Sequence, residues 1–158
     1  MKKAEVLILL LFFILFSQSS VFASQTYLND SELKSFGFAG YEQINPNLLV
    51  YPIKRLVEEF KMILSSNKKE YAYKLYEVRL KELIYIVNNK KEGFLGFTVD
   101  RYNSFVGKIK KEYPLDASSK IKFVHYLKIL ERLRDIYPAN SVHWIKIQQA
   151  IETTRSLI

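Results

Sequence analysis

From Pro52 to the end of the chain, apolar residues recur three and four positions apart, and the pattern breaks only at short polar or proline-containing stretches. That period lines one face of a helix, so this part of the chain is confined to amphipathic helices joined by short connections. Strand signals are absent after Val50. Short connections favour antiparallel neighbours, and the expected fold is all-α, a compact bundle of about four to five amphipathic helices.

The segment Pro52 to Ser66 places Ile53, Leu56, Val57, Phe60, Ile63 and Leu64 on one helical face. Pro52 suits the first turn, where its missing N–H costs nothing. Asn67 followed by Glu70 marks a helix restart. The second helix runs to about Asn88, with Ala72, Leu75, Tyr76, Arg79, Leu80, Leu83 and Val87 as its inward stripe and Glu70–Lys74 and Glu77–Lys81 as solvated i,i+4 pairs. Asn88 to Gly96 reads as a turn. Val99, Tyr102, Val106, Ile109 and Tyr113 carry a third helix that Pro114 stops. A fourth starts near Asp116 or Ser118, carries Ile121, Val124, Leu127, Leu130 and Leu133, and ends at Tyr137-Pro138. A fifth starts at Asn140 or Ser141 and uses Val142, Ile145, Ala150, Ile151 and Leu157.

The N-terminus has a different grammar. Met1-Lys2-Lys3, an apolar run from Val6 to Phe16, a polar patch at Ser17 to Ser20 and Val21-Phe22-Ala23 read as a secretory signal peptide over residues 1–23. The run is shorter than the ~20 apolar residues of a membrane span. An uncleaved anchor is the competing reading, and both place the rest of the chain on the outer side of a membrane. Residues 24–47 form a lead-in arm with no sustained period, and residues 48–158 form the helical domain.

Removal of residues 1–23 leaves 135 of the 158 residues, enough for one domain. The chain has no cysteine, so an exported domain of this kind has no disulfide staple and must be held by a hydrophobic core. The net charge is +8, and +7 once Lys2, Lys3 and Glu5 leave with the leader. A basic exported domain is drawn toward wall polymer, anionic lipid headgroups or extracellular DNA if its lysines gather on one face. Lys108, Lys110, Lys111, Lys120, Lys122 and Lys128 are the residues that would form such a face; ordinary solvated lysine accounts for most of the excess.

No catalytic constellation stands out. His125 and His143 have no carboxylate or second imidazole three or four residues away, so no local metal site is expected. There is no nucleophile elbow and no phosphate-binding loop at Gly93 and Gly96. Glu58 and Glu59 point to different sides of a helix. Tyr71, Tyr73, Tyr76 and Tyr85 interleave with basic residues, but they spread over several helical faces and read mostly as core packing. No cofactor is expected, and the chain reads as a non-enzyme.

Tyr51-Pro52-Ile53-Lys54-Arg55-Leu56-Val57-Glu58, preceded by Ile44-Asn45-Pro46, resembles the opening motif of a bacterial extracytoplasmic domain family of unknown function. Glu70-Tyr71-Ala72 to Arg79-Leu80 is similar to a second stretch of that family. A third is His125-Tyr126-Leu127-Lys128-Ile129-Leu130-Glu131, with Pro138 and a closing Ala150-Ile151-Glu152. Leu49 stands where that family usually has a proline. The resemblance implies an all-helical, exported domain and no assigned reaction, and it marks Tyr51, Lys54, Arg55, Glu58, Arg79, His125, Leu127 and Leu130 as motif positions. The expected function is an exported, non-catalytic module for protein or envelope contacts. The alternatives are a basic binder of anionic polymers and a periplasmic chaperone or stress sensor.

Overall fold

The structure, a computed structural model, describes residues 27–38, 42 and 44–158. The expected signal peptide at residues 1–23 lies outside the described residues. Among those described, six α-helices and one 3-10 turn occur and no strand: α1 (Asp30–Ser35), α2 (Tyr51–Leu64), α3 (Lys68–Asn88), the 3-10 turn Glu92–Phe94, α4 (Leu95–Glu112), α5 (Ala117–Arg134) and α6 (Val142–Arg155). The all-α bundle expected from the periodicity is therefore the fold.

Helix starts follow the capping chemistry. Asn67, Asp116 and Ser141 each accept a hydrogen bond from the backbone N–H three residues on, at 3.1, 2.8 and 3.2 Å. The expected turn at 88–96 is shorter than its composition implied, because Leu95 is buried and draws the start of α4 into it.

The core lies among α3, α4, α5 and α6. α4 and α5 both pack on α6, and α3 packs on α4. The inward stripe of α3 is as its spacing demands: Ala72, Leu75, Tyr76, Arg79, Leu80, Leu83 and Val87 are all buried. At the centre, the Tyr76 hydroxyl meets that of Tyr102, which bonds the Thr154 hydroxyl at 2.7 Å. Thr154 also donates to the Ala150 carbonyl at 2.8 Å, so this buried polar chain is satisfied. Tyr76 stacks on Tyr126 and Phe123, which accounts for it as packing. Tyr71, Tyr73 and Tyr85 are half-buried against the same core.

Three expected stripes are corrected. On α5, Ile121 and Val124 are exposed, and Phe123 and Tyr126 take the inward face because their rings reach Tyr76. On α6, Val142 and Ile145 are exposed while Ile147, Ala150, Ile151 and Thr154 are buried. The largest correction concerns α2: Ile53, Leu56, Val57, Phe60, Ile63 and Leu64 face solvent, and the buried residues are Tyr51, Glu58 and Met62. Of the two solvated pairs expected on α3, Glu70–Lys74 forms at 2.9 Å, whereas Glu77 turns to Lys122 and to the Tyr126 hydroxyl.

The lead-in arm contains an element its lack of period concealed. Asn29 and Glu32 form a reciprocal capping box at the start of α1. Gly37 at φ 80 ends the helix in a left-handed turn, with Phe38 N–H bonded to the Leu33 carbonyl and Gly37 N–H to the Lys34 carbonyl, both at 2.9 Å. This closure turns Leu28, Leu33 and Phe38 into the core, and Phe38 meets the Tyr126 ring edge-on at 5.2 Å.

Burial sets a testable contrast between two phenylalanines. Phe38 is 4% exposed and Phe60 is 56% exposed. Phe38→Ala should lower the unfolding free energy in urea by about 3–5 kcal/mol. Phe60→Ala should change it by less than about 0.5 kcal/mol.

Candidate functional site

The polar face of α2 carries Tyr51, Lys54, Arg55 and Glu58, one to two turns apart, and meets α3 at Arg79 and Glu82. The short Ser65-Ser66-Asn67 connection makes α2 and α3 antiparallel, so the start of α2 lies beside the second half of α3. Arg79 is central: its guanidinium bonds Glu82 at 2.6 Å and Glu58 through a second nitrogen, and it stands 3.4 Å from the Tyr51 hydroxyl. Lys54 donates to Glu82 at 2.7 Å and to the Ile44 carbonyl at 2.8 Å, and pairs with Glu42 at 3.1 Å. The Tyr51 hydroxyl donates to the other Glu82 oxygen at 2.7 Å. Arg55 holds Glu58 at 2.7 Å.

Burial governs the ionisation of this cluster. It raises Glu58 to about 7, against the pull of Lys54, with Glu82 and Glu42 adding to the rise and Arg55 opposing it. Glu82 is likewise raised by burial, against the pull of Lys54 and of the Lys54 and Tyr51 hydrogen bonds. The Tyr51 hydroxyl is held well above its usual range by burial and the Glu82 carboxylate, so it stays protonated and donating.

Beside the cluster opens a cleft of about 520 Å³ at the N-terminal end of α2, lined by Leu48, Leu49, Tyr51, Pro52, Arg55, Phe97 and Arg101 together with Pro46. Arg101 comes from α4 and lies between two rings, 4.5 Å from the centre of Tyr51 and 4.1 Å from that of Phe97. Its Nη1 is buried and has no hydrogen-bond partner. Arg55 and Arg101 thus give an otherwise apolar cleft two cations, a combination suited to an oxyanion attached to an apolar body.

The structure brings Tyr51, Lys54, Arg55, Glu58 and Arg79 into one network. The remaining motif positions do not join it: His125 is exposed on α5, Leu127 is half-buried and Leu130 is buried in the core. The six lysines of the expected basic face divide between α4 (Lys108, Lys110, Lys111) and α5 (Lys120, Lys122, Lys128). Two of them are engaged within the fold, Lys122 with Glu77 and Lys120 with the Ile158 carbonyl at 2.6 Å. His143 sits against the Tyr137 ring at 5.1 Å. Among the described residues no three His, Asp or Glu side chains gather as metal ligands, and no helix is long and apolar enough to cross a membrane.

Sequence reasoning missed Glu82 and Arg101. Glu82 had a signal: Arg79 in an inward stripe requires a buried acid, and Glu82 is three residues on. Arg101 had none, since its place depends on how α4 packs. Compared with family models, with curated proteins and with solved structures, the chain matches none.

Arg79→Met removes the buried cation that Glu58 and Glu82 share and should cost about 3–5 kcal/mol in urea unfolding.

Proposed function

We propose that the chain is an exported, non-catalytic helical domain that works as an interaction module at the cell envelope, with α2 as the element it presents. The observation that carries this reading is the orientation of α2. Its polar face is consumed by the domain's own ions, and its apolar face is turned outward, with Leu64 82% and Ile53 64% exposed. Soluble monomers rarely expose contiguous apolar patches beyond a few hundred Å² unless the patch binds something.

The acid–base alternative fares less well. Glu58 has an ionisation suited to proton transfer, but one oxygen is bonded to both Arg55 and Arg79 and the other faces Lys54 at 3.7 Å. No carboxylate of the cluster lines the neighbouring cleft. The ions hold a helix in place; they do not meet a substrate. Tyr51, Lys54, Glu58 and Arg79, which converge in this network, are the residues that orient α2.

A photocrosslinking residue placed at Ile53 or Phe60 in cells should give defined adducts with an envelope component, and one at Ile121, equally exposed on α5, should not. Equal capture from both helices would contradict the assignment of α2.

A further inference from the structure

One end of the bundle combines features that are separate elsewhere. Leu49, 99% exposed, and Ile53 project at the start of α2. Phe97, exposed in the first turn of α4, lines the same cleft as Leu49, and Phe94 is exposed in the 3-10 turn just before it. Lys90 and Lys91 are exposed in the same turn. The cleft that holds Arg55 and the unpartnered Arg101 nitrogen opens here. Arg55 is held by Glu58 at 2.7 Å and more loosely, at 3.4 Å, by the exposed Glu59, the acid a headgroup phosphate would displace; Glu42 and Glu58 are committed to Lys54, Arg55 and Arg79, and Glu92 lies in the adjacent turn.

The path of the chain gives this end a direction. The described chain begins at Tyr27, which shares a cleft with Tyr85, Asn88 and Asn89 at the C-terminal end of α3. Asn88 bonds the Leu28 carbonyl at 2.7 Å, and Lys90 lies over the Tyr27 ring. Twenty-six residues precede Tyr27, among them Lys2, Lys3 and the apolar run Val6 to Phe16. Retained as an uncleaved anchor, they enter the fold at Tyr27, beside the C-terminal end of α3 and Lys90.

The geometry points to a bilayer surface carrying anionic lipid as the occupant of this face, with α2 lying in the membrane–water interface and Arg55 and Arg101 taking a headgroup phosphate. This rests on the reading of α2 as the presented element and names what it meets. Exposed leucine, isoleucine and phenylalanine rimmed by lysine and arginine are what an interfacial helix needs: apolar burial below the headgroups and cations level with them. Arg101 adds its charge to the cleft, whose apolar walls suit the glycerol and acyl portion of a lipid. A second copy is the weaker occupant. The chain carries +8, and an isologous contact at this end would set Arg55 and Arg101 against their own images.

The absence of cysteine makes the test direct. Full-length chains carrying Leu49→Cys, Ile53→Cys or, as reference, Ile121→Cys are labelled with an environment-sensitive fluorophore and mixed with phosphatidylcholine vesicles, with or without phosphatidylglycerol. Since every variant carries the same N-terminal segment, insertion of that segment alone cannot distinguish the three positions. With anionic vesicles the probes at 49 and 53 should shift to the blue and be quenched by brominated lipid, while the probe at 121 should do neither.

Combining Arg55→Gln with Arg101→Gln should raise the half-saturating lipid concentration about tenfold or more. Lys90→Gln with Lys91→Gln, outside the buried network, should raise it by a smaller factor. Probes that stay in water on anionic vesicles, equal binding to neutral vesicles, a response to inorganic phosphate alone, or a dimer that Ile53→Asp dissolves would each overturn the membrane assignment. If the probes stay in water while crosslinking from α2 still captures a protein, the lipid assignment fails and the interaction module stands. If α2 captures nothing either, both fail.

Discussion

The buried Arg79 guanidinium is the constraint on which the outer face of this domain depends. A charge placed at 1% exposure must be matched or it costs several kcal/mol. Glu82 matches it from its own helix, and Glu58 matches it from α2. Lys54 joins Arg79 on one Glu82 oxygen, and the Tyr51 hydroxyl donates to the other. The orientation of α2 follows: rolling it over to cover its apolar stripe would gain hydrophobic burial at about 25 cal/mol per Å², but it would take Glu58 from Arg79 and Lys54 and Tyr51 from Glu82, leaving the Arg79–Glu82 pair of α3 under-satisfied in the interior. Three partners would be lost together, a cost comparable to the gain from burying the six large side chains of the stripe, and the observed face is the one the ions take.

That balance links stability to function. α2 gives the hydrophobic core little beyond Met62: α3 to α6 supply the Tyr76–Tyr102–Thr154 centre, and α1 seals a further flank through Leu28, Leu33 and Phe38. α2 is an attached helix, held mostly by polar contacts along one side, with Met62 its foothold in the core. The same contacts set Tyr51 and Arg55 at the rim of the cleft, where Arg101 from α4 completes a cationic apolar site. The network thus fixes both the outward face and the chemistry at its end.

Much of this was legible in the sequence, and the rest was hidden for identifiable reasons. Helix starts could be read because Asn67, Asp116 and Ser141 carry their own hydrogen-bond chemistry. The inward stripe of α3 could be read because nearly every apolar position on that helix is buried. On α2, periodicity reported a stripe without reporting which side of it is covered, and the opposite face won through partners on another helix. On α5 and α6 the large rings and small residues that mesh at the centre displaced a simple aliphatic pattern. α1 was overlooked although its signals were present: Asn29 and Glu32 three apart, then Gly37. Five motif positions converge at the candidate site, and Arg101 joins them only through tertiary packing.

The central claim is that ions, and not apolar burial, set the face of α2. It is tested most directly by thiol reactivity in the purified, otherwise cysteine-free chain, comparing Val57→Cys with Met62→Cys, which lie on opposite sides of that helix. The account predicts rapid labelling at 57 and slow labelling at 62 in the parent background, and loss of that difference when Arg79→Met and Glu82→Met are combined. The same difference persisting in the double variant would contradict it.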